Sequence, residues 1–249
     1  MVYLGSKNKI SKFLIPILQK IINENDIKVY WEPFGGGGNV IDKIKCERRI
    51  ASDLSPTLIA LLQMAQTDFD KIPKECTKEK FDEAKILYRN KNWDIMPLYE
   101  IGAYEWLGSY GAKGFQGSFA REKNGRNYYK ERYNNLLKQS SNLKEINFQC
   151  CDYRDFYSSP LSLIYCDPPY QNTLGYEVNK NNPFDHKAFW EWVREKSEES
   201  FIICSEETAP DDFIVISELE KRREVGIKND KKSKEKLFVY SKGLLSGVM

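Results

Sequence analysis

Residues 162–172 read Ser-Leu-Ile-Tyr-Cys-Asp-Pro-Pro-Tyr-Gln-Asn. Four of them have the types and spacing to do chemistry: Asp167, Pro168, Pro169 and Tyr170. Asp167 supplies a carboxylate acceptor. Pro168 supplies a second, because proline keeps its carbonyl while lacking the N–H. Two successive prolines fix φ, so the acceptors are held in place rather than searched for. Tyr170 adds an aromatic face. The set reads as a rigid clamp on a planar amine. It needs neither a metal nor a histidine, and the lone His186 reads as a surface or helix-start residue.

A second group lies upstream. Glu-Pro-Phe-Gly-Gly-Gly-Gly-Asn-Val, residues 32–40, follows a short apolar run, and Asp53 comes 21 residues after Glu32. Glycines let backbone approach a ligand closely, and an acid about 20 residues beyond such a turn suits ribose hydroxyls. The pattern points to a nucleoside-type cofactor. No Lys-Ser/Thr pair follows Gly38, which argues against a phosphate-binding P-loop, and the last glycine of a dinucleotide fingerprint is missing. S-adenosylmethionine, which has no pyrophosphate, fits better.

These residues need elements to position them. Helical periodicity covers 12–23, and short apolar strands cover 27–31 and 49–52. A helix is expected from Asn39 and another over 58–66. Residues 68–140 lose the α/β rhythm. They carry helical pieces at 80–91 and 97–109, a glycine-punctuated basic stretch, and a helix over 127–140. The rhythm then returns with strands at 146–151, 161–166 and 201–205 and a helix at 185–197. Two final strands, 213–217 and 236–241, are joined by a basic loop, 221–234, as a closing antiparallel hairpin. Glu32, Asp53, Asp152 and Asp167 all fall at expected strand ends, where parallel α/β sheets bind ligands.

Composition bounds the rest. The chain has 249 residues, of which 41% are hydrophobic and 30% charged, enough for a full core. No run of 18 apolar residues exists, so no membrane span is expected. The N-terminus does not read as a secretory signal. Six cysteines form no C-x-x-C pair and read as buried free thiols of a cytoplasmic protein. With one histidine, no metal site is expected. The net charge of +2 hides a polarity: +5 over 111–138 against −6 over 190–212. That asymmetry fits one face for a polyanion, or two ordinary solvated faces.

The ordered set Tyr-Leu-Gly-Ser-Lys at 3–7, Glu-Pro-Phe-Gly-Gly-Gly-Gly at 32–38, an insert, and Asp-Pro-Pro-Tyr at 167–170 resembles the Dam-like family of DNA adenine N6-methyltransferases (D12 class, alpha group). Later segments, 204–213 and 235–241, are similar to those often seen in phage-encoded members. The resemblance spans nearly the whole chain. It implies a Rossmann-like S-adenosylmethionine-dependent methyltransferase fold, a mostly parallel α/β sheet with a closing antiparallel hairpin plus a helical basic insert. It implies a catalytic domain of residues 1–67 and 141–249 and a target-recognition insert of 68–140. Asp167 to Tyr170 become the catalytic step on adenine N6. The cofactor side falls to Tyr3, Lys7, Glu32, Phe34, Gly35, Gly37, Asp53, Asp152, Tyr153 and Asp167. Family members often read Gly-Gly-Lys where this chain has Gly5-Ser6-Lys7, so the lysine is kept and one glycine of the turn is replaced.

The target atom lies inside a duplex, so the base must be extruded at a cost of a few kcal/mol. Lys113, Arg121, Lys123, Arg126 and Lys130 are the expected contacts to double-stranded DNA. They interleave with Phe115, Phe119, Tyr128 and Tyr129, which serve equally as a small core. Asp152 also has a second reading, as a helix cap. A monomer or weak dimer is expected. Transfer to an exocyclic amine of RNA or of cytosine, and a non-catalytic DNA-binding module, are the competing readings.

Overall fold

The computed structural model describes residues 1–3, 5–122, 124–155, 159–170, 184–221 and 233–247. Among them, seven strands alternate with helices. They are β1 (Val29–Glu32), β2 (Arg48–Asp53), β3 (Ile146–Cys150), β4 (Leu163–Cys166), β5 (Phe201–Glu206), β6 (Phe213–Lys221) and β7 (Ser233–Tyr240). They lie in one sheet in the order β3-β2-β1-β4-β5-β7-β6. β1–β4 and β4–β5 pair in parallel, while β5–β7 and β7–β6 pair antiparallel, which is the α/β sheet with a closing hairpin that the sequence implies. No helix among the described residues is long and apolar enough to cross a membrane.

The chain divides into two compact units. One comprises Met1–Lys7, Gly35–Lys43 and Ala51–Asp152; the other comprises Asn8–Phe34, Ile44–Ile50 and Tyr153–Met249. Residues 68–140 thus share a unit with the glycine turn.

In the first unit, α2 (Pro56–Thr67) starts where Ser55 accepts the Leu58 N–H at 3.3 Å and Pro56 occupies the first turn. Its apolar face, Leu58, Leu61, Leu62 and Ala65, is buried. α3 (Lys78–Arg89) is capped by Thr77 and α5 (Tyr128–Leu143) by Asn127. Between them α4 (Leu98–Gly102) widens into a π-helical turn, Ala103–Leu107, all five residues of which are buried. Gly102 lets α4 approach α2, for a Cβ there would meet the Thr57 carbonyl at 2.2 Å. Such π turns are rare and recur at functional sites.

In the second unit, α1 (Ser11–Glu24) buries Leu14, Leu18, Ile21 and Ile22. β4 and β5 are buried along their whole length, as parallel strands covered on both faces must be. α6 (His186–Lys196) is capped by Asp185, which accepts the Ala188 N–H at 3.0 Å. It packs Phe189, Trp190, Trp192 and Val193 into an aromatic core with Trp31, Tyr153 and Phe213.

Three expectations change. The helix from Asn39 is only a 3-10 turn, Ile41–Lys43, because five residues after Lys43 the chain must re-enter the sheet at Arg48. The hairpin strands are longer than expected, so Lys221, Ser233 and Lys234 are strand residues, and the loop between them lies outside the described residues. The cysteines are all free, but only Cys166 and Cys204 are buried and Cys150 is exposed. His186 does sit at a helix start. Burial lowers its pKa, and its ring lies 3.9 Å from Glu206.

Candidate active site

The glycine turn is held from beneath. The Gly35 N–H donates to Ser52 O at 2.8 Å and the Gly38 N–H to Gly35 O at 2.9 Å. Asp53, at the end of β2, accepts the Gly36 N–H at 3.1 Å on one oxygen and the Ser55 N–H at 2.9 Å on the other. Burial lifts the Asp53 carboxyl above the usual carboxylate range, and these backbone donors oppose the rise. With a contribution from the Leu54 N–H as well, a carboxylate of about four acceptor sites still has room for a further donor. Gly36 has φ +49°, and a Cβ there would meet the Tyr3 ring at 2.9 Å. Tyr3 in turn lies 5.2 Å from the Trp106 ring. Tyr3, Gly35, Gly37 and Asp53 therefore belong to one local construction, and Lys7 is buried nearby in sequence.

Sequence reasoning missed two supports of that turn. Gln139 on α5 donates to the carbonyls of Gly37 and Gly38, both at 3.1 Å, and to Asp42 at 3.0 Å. Glu105, in the π turn, is 6% exposed. It accepts the Thr57 hydroxyl at 2.5 Å and the Phe115 N–H at 3.4 Å. The Trp106 indole N–H donates to Thr57 at 3.3 Å, and the Ser55 and Thr57 hydroxyl oxygens are 3.2 Å apart. A continuous polar chain thus runs from Asp53 through Ser55 and Thr57 to Glu105. Neither residue carries a motif; Thr57 is 48 positions from Glu105 in sequence, and Gly37 is 102 positions from Gln139.

The second unit carries the Asp-Pro-Pro-Tyr step directly after β4. Cys166 pairs in register with Cys204, so Asp167 emerges at the carboxyl edge of the parallel strands. Pro168 is buried, while Asp167, Pro169 and Tyr170 are half-buried. The Tyr170 hydroxyl donates to Glu235 Oε1, which also accepts the Ser205 hydroxyl. Burial, followed by the charges of Asp167 and Glu235, raises the Tyr170 pKa, so its hydroxyl stays a donor. Glu32 ends β1 and is buried, accepting the Tyr30 hydroxyl at 2.7 Å. Phe34 and Tyr153 pack ring to ring at 5.3 Å, and Tyr153 meets Trp192 edge-on at 5.1 Å. Both rings are thus part of the aromatic core. Asp152, just beyond β3, is half-buried.

Of the basic residues, Lys113, Arg121 and Lys130 are exposed. Arg126 is spoken for by Glu131, with Nε at 2.8 Å and Nη2 at 2.9 Å, and it covers the Tyr128 ring. Arg132, part of the same charge run, is buried and donates to the carbonyls of Leu107 and Ser109. Phe115 packs on Phe81 as core, and the half-buried Phe119 lies against the same ring. Lys123 lies outside the described residues. A groove on this unit is lined by Arg121, Tyr110, Phe119 and Tyr128 together with Lys78 and Lys85 of α3. The two lysines were not singled out in the sequence because α3 lies before the glycine-rich stretch.

The sequence of the chain is similar to those of known proteins. The description "D12 class N6 adenine-specific DNA methyltransferase" fits residues 3–225. The type II methyltransferase M.MjaIII of Methanocaldococcus jannaschii is 28% identical over 210 residues, covering 72% of this chain and 70% of that one. The type II methyltransferase M.FokI of Planomicrobium okeanokoites is 23% identical over 210 residues, covering 77% of this chain but only 31% of its own length. Among solved structures, the rRNA methyltransferase AviRa from Streptomyces viridochromogenes aligns at a TM-score of 0.39 and 12% identity, over 93% of this chain and 86% of that one, a likeness too low to bear on fold or function. The match over 3–225 takes in the glycine turn, residues 68–140 and the Asp-Pro-Pro-Tyr step together, and the chain belongs to the D12 class N6 adenine-specific DNA methyltransferases.

Proposed function

We propose that this protein transfers a methyl group from S-adenosylmethionine to N6 of an adenine extruded from a specific site in double-stranded DNA. The observation that carries the reading is Asp167-Pro168-Pro169-Tyr170 at the carboxyl edge of β4, with Pro168 buried and the Tyr170 hydroxyl anchored. Adenine N6 is a poor nucleophile because its lone pair is delocalised into the ring. Asp167 and the Pro168 carbonyl accept its two N–H groups and draw the nitrogen toward tetrahedral geometry, and Tyr170 offers its face to the base. Asp167 stands where the departing N6 proton leaves.

The residues of the glycine turn fit the cofactor. Asp53 retains acceptor capacity for a ribose hydroxyl, and Gly36 leaves backbone without a side chain beside Tyr3. Asp152 is the further candidate acid, and Lys7, Glu32 and Phe34 keep supporting places. When bound, S-adenosylmethionine supplies an electrophilic methyl; the protein supplies position and electrostatics.

The test is to incubate the protein with labelled S-adenosylmethionine and unmethylated duplex DNA, digest, and identify the labelled nucleoside. N6-methyladenine is expected. Label in N4-methylcytosine, or none in DNA, would overturn the reading.

For DNA contact, Arg121 with Lys85 is the favoured set, since Arg126 is held by Glu131 and Lys78 by Asp82. Arg121→Ala should reduce the slope of log K against log salt by about 0.9, one phosphate's worth, and Arg126→Ala by less. An unchanged slope for Arg121→Ala in a salt titration would remove it from the interface.

A further inference from the structure

We infer that Glu235 is a positioning residue for methyl transfer: through the Tyr170 hydroxyl, its carboxyl sets the plane of the ring that meets the extruded base. The inference rests on the reading of Tyr170 given above.

β7 is otherwise a core strand here, with Leu237 and Val239 almost wholly buried and Phe238 buried beside them. Glu235 is just as deeply buried, with no exposed surface, yet it is a carboxyl. Removing such a group from water is costly unless donors compensate, and an apolar residue at the same place is often the more stable choice. Two donors converge on a single oxygen of it: the hydroxyls of Tyr170 and Ser205. Ser205 is fixed on β5, where it pairs with Leu237 of β7. Glu235 is therefore itself held by the sheet, and through it the sheet holds Tyr170, 65 residues away in the chain.

The consequence for Tyr170 is geometric. Pro168 and Pro169 restrict the backbone at one end of the residue, and Glu235 fixes the hydroxyl at the other. Pinning both ends fixes the axis of the ring, and because a phenolic O–H lies in the plane of its ring, the direction of its bond to Glu235 selects the plane as well. Asp167, three residues before Tyr170, is then fixed relative to that plane, so the acceptor and the stacking face are delivered as one rigid unit. A misplacement of about 1 Å in such a unit can cost up to roughly a hundredfold in rate, and a smaller tilt correspondingly less.

The experiment compares the full chain with Tyr170→Phe, Glu235→Met and the double variant, measuring kcat, KM for DNA and Kd for S-adenosylmethionine. Methionine keeps the length and removes both oxygens; phenylalanine keeps the ring and removes the hydroxyl. Each single variant is expected to lower kcat about tenfold with both binding constants within about twofold, and the double variant to be no slower than the slower single, the mark of residues acting through one bond. Multiplying losses in the double variant would overturn the inference, since Glu235 would then act independently of Tyr170. Wild-type kcat in Tyr170→Phe would also overturn it, and that variant decides the matter alone if Glu235→Met does not fold. Absence of N6-methyladenine from the wild type would instead defeat the functional reading and this inference with it.

Discussion

Asp167→Ala is expected to lower methyl transfer about a thousandfold while the cofactor still binds, the scale on which loss of one preorganised charged partner to a reacting group is felt. The magnitude follows from where the residue sits. Asp167 leaves the edge of a strand buried along its whole length and paired in register with β5, so its position is not adjustable. The two prolines after it remove backbone freedom that would otherwise let another acceptor take its place. Asp167→Asn keeps one carbonyl acceptor but no charge, and its rate should fall between those of the wild type and the alanine variant. The measurement is single-turnover transfer to duplex DNA with the cofactor saturating, alongside cofactor binding by calorimetry. Near-normal turnover by a folded, cofactor-binding Asp167→Ala protein would remove the clamp from the mechanism.

Local pattern made part of this molecule legible. β4, the glycine turn and the acid at Asp53 are contiguous or regularly spaced, and both the strands and the cap residues follow rules that act over a few positions. The Asp-Pro-Pro-Tyr step lies where its apolar lead-in places it. What stayed hidden is what depends on distant partners. Gln139 is one polar residue in a polar helix until Gly37 and Gly38 come within reach of it. Arg126 reads as an available cation until Glu131 takes it, five positions on and off any regular helical spacing. The π turn at Ala103–Leu107 is an irregularity that no periodicity announces. Glu235 sits in a segment whose apolar strand was visible, but nothing in a glutamate before Lys-Leu-Phe says that a tyrosine will find it.

The buried acids share a physical logic. Glu32, Glu105 and Glu235 each accept a hydroxyl, from Tyr30, Thr57 and Tyr170 respectively. Hydroxyls are donors that also accept, so such contacts extend into chains, as at Ser55 and Thr57, where a cation would end them. Both units therefore keep carboxyl-bearing networks beside their expected functional residues. Asp53 is linked to Glu105 in one unit, and Tyr170 to Glu235 in the other.

Glu105 makes the largest stability prediction. Its carboxyl is pushed up to about 7 from 4.5, first by burial, against the lowering effect of the Thr57 hydroxyl and the Phe115 N–H. Tyr88 is a further titratable group that feels it: burial raises that phenol first, and the charge of Glu105 adds to the rise. The sign is set by proton counts. Between pH 4.5 and about 7 the folded chain keeps a proton on Glu105 that the unfolded chain has released. Folding is therefore favoured at low pH by this group, and stability falls as pH rises through that window, the loss being complete above about 7. A shift of this size corresponds to about 3 kcal/mol. Glu105→Gln is uncharged throughout and has no such loss. Its stability relative to wild type should therefore rise by about 3 kcal/mol from acid to alkaline pH, whatever constant offset the amide introduces at its two donors. Asp53, raised in the same sense, contributes equally to both proteins and cancels in the difference. Urea unfolding of the two proteins at pH values from 4.5 to 8.5 measures it. Parallel stability curves would mean that Glu105 ionises at its ordinary pKa, and that the Thr57 chain is solvated in the folded protein rather than closed.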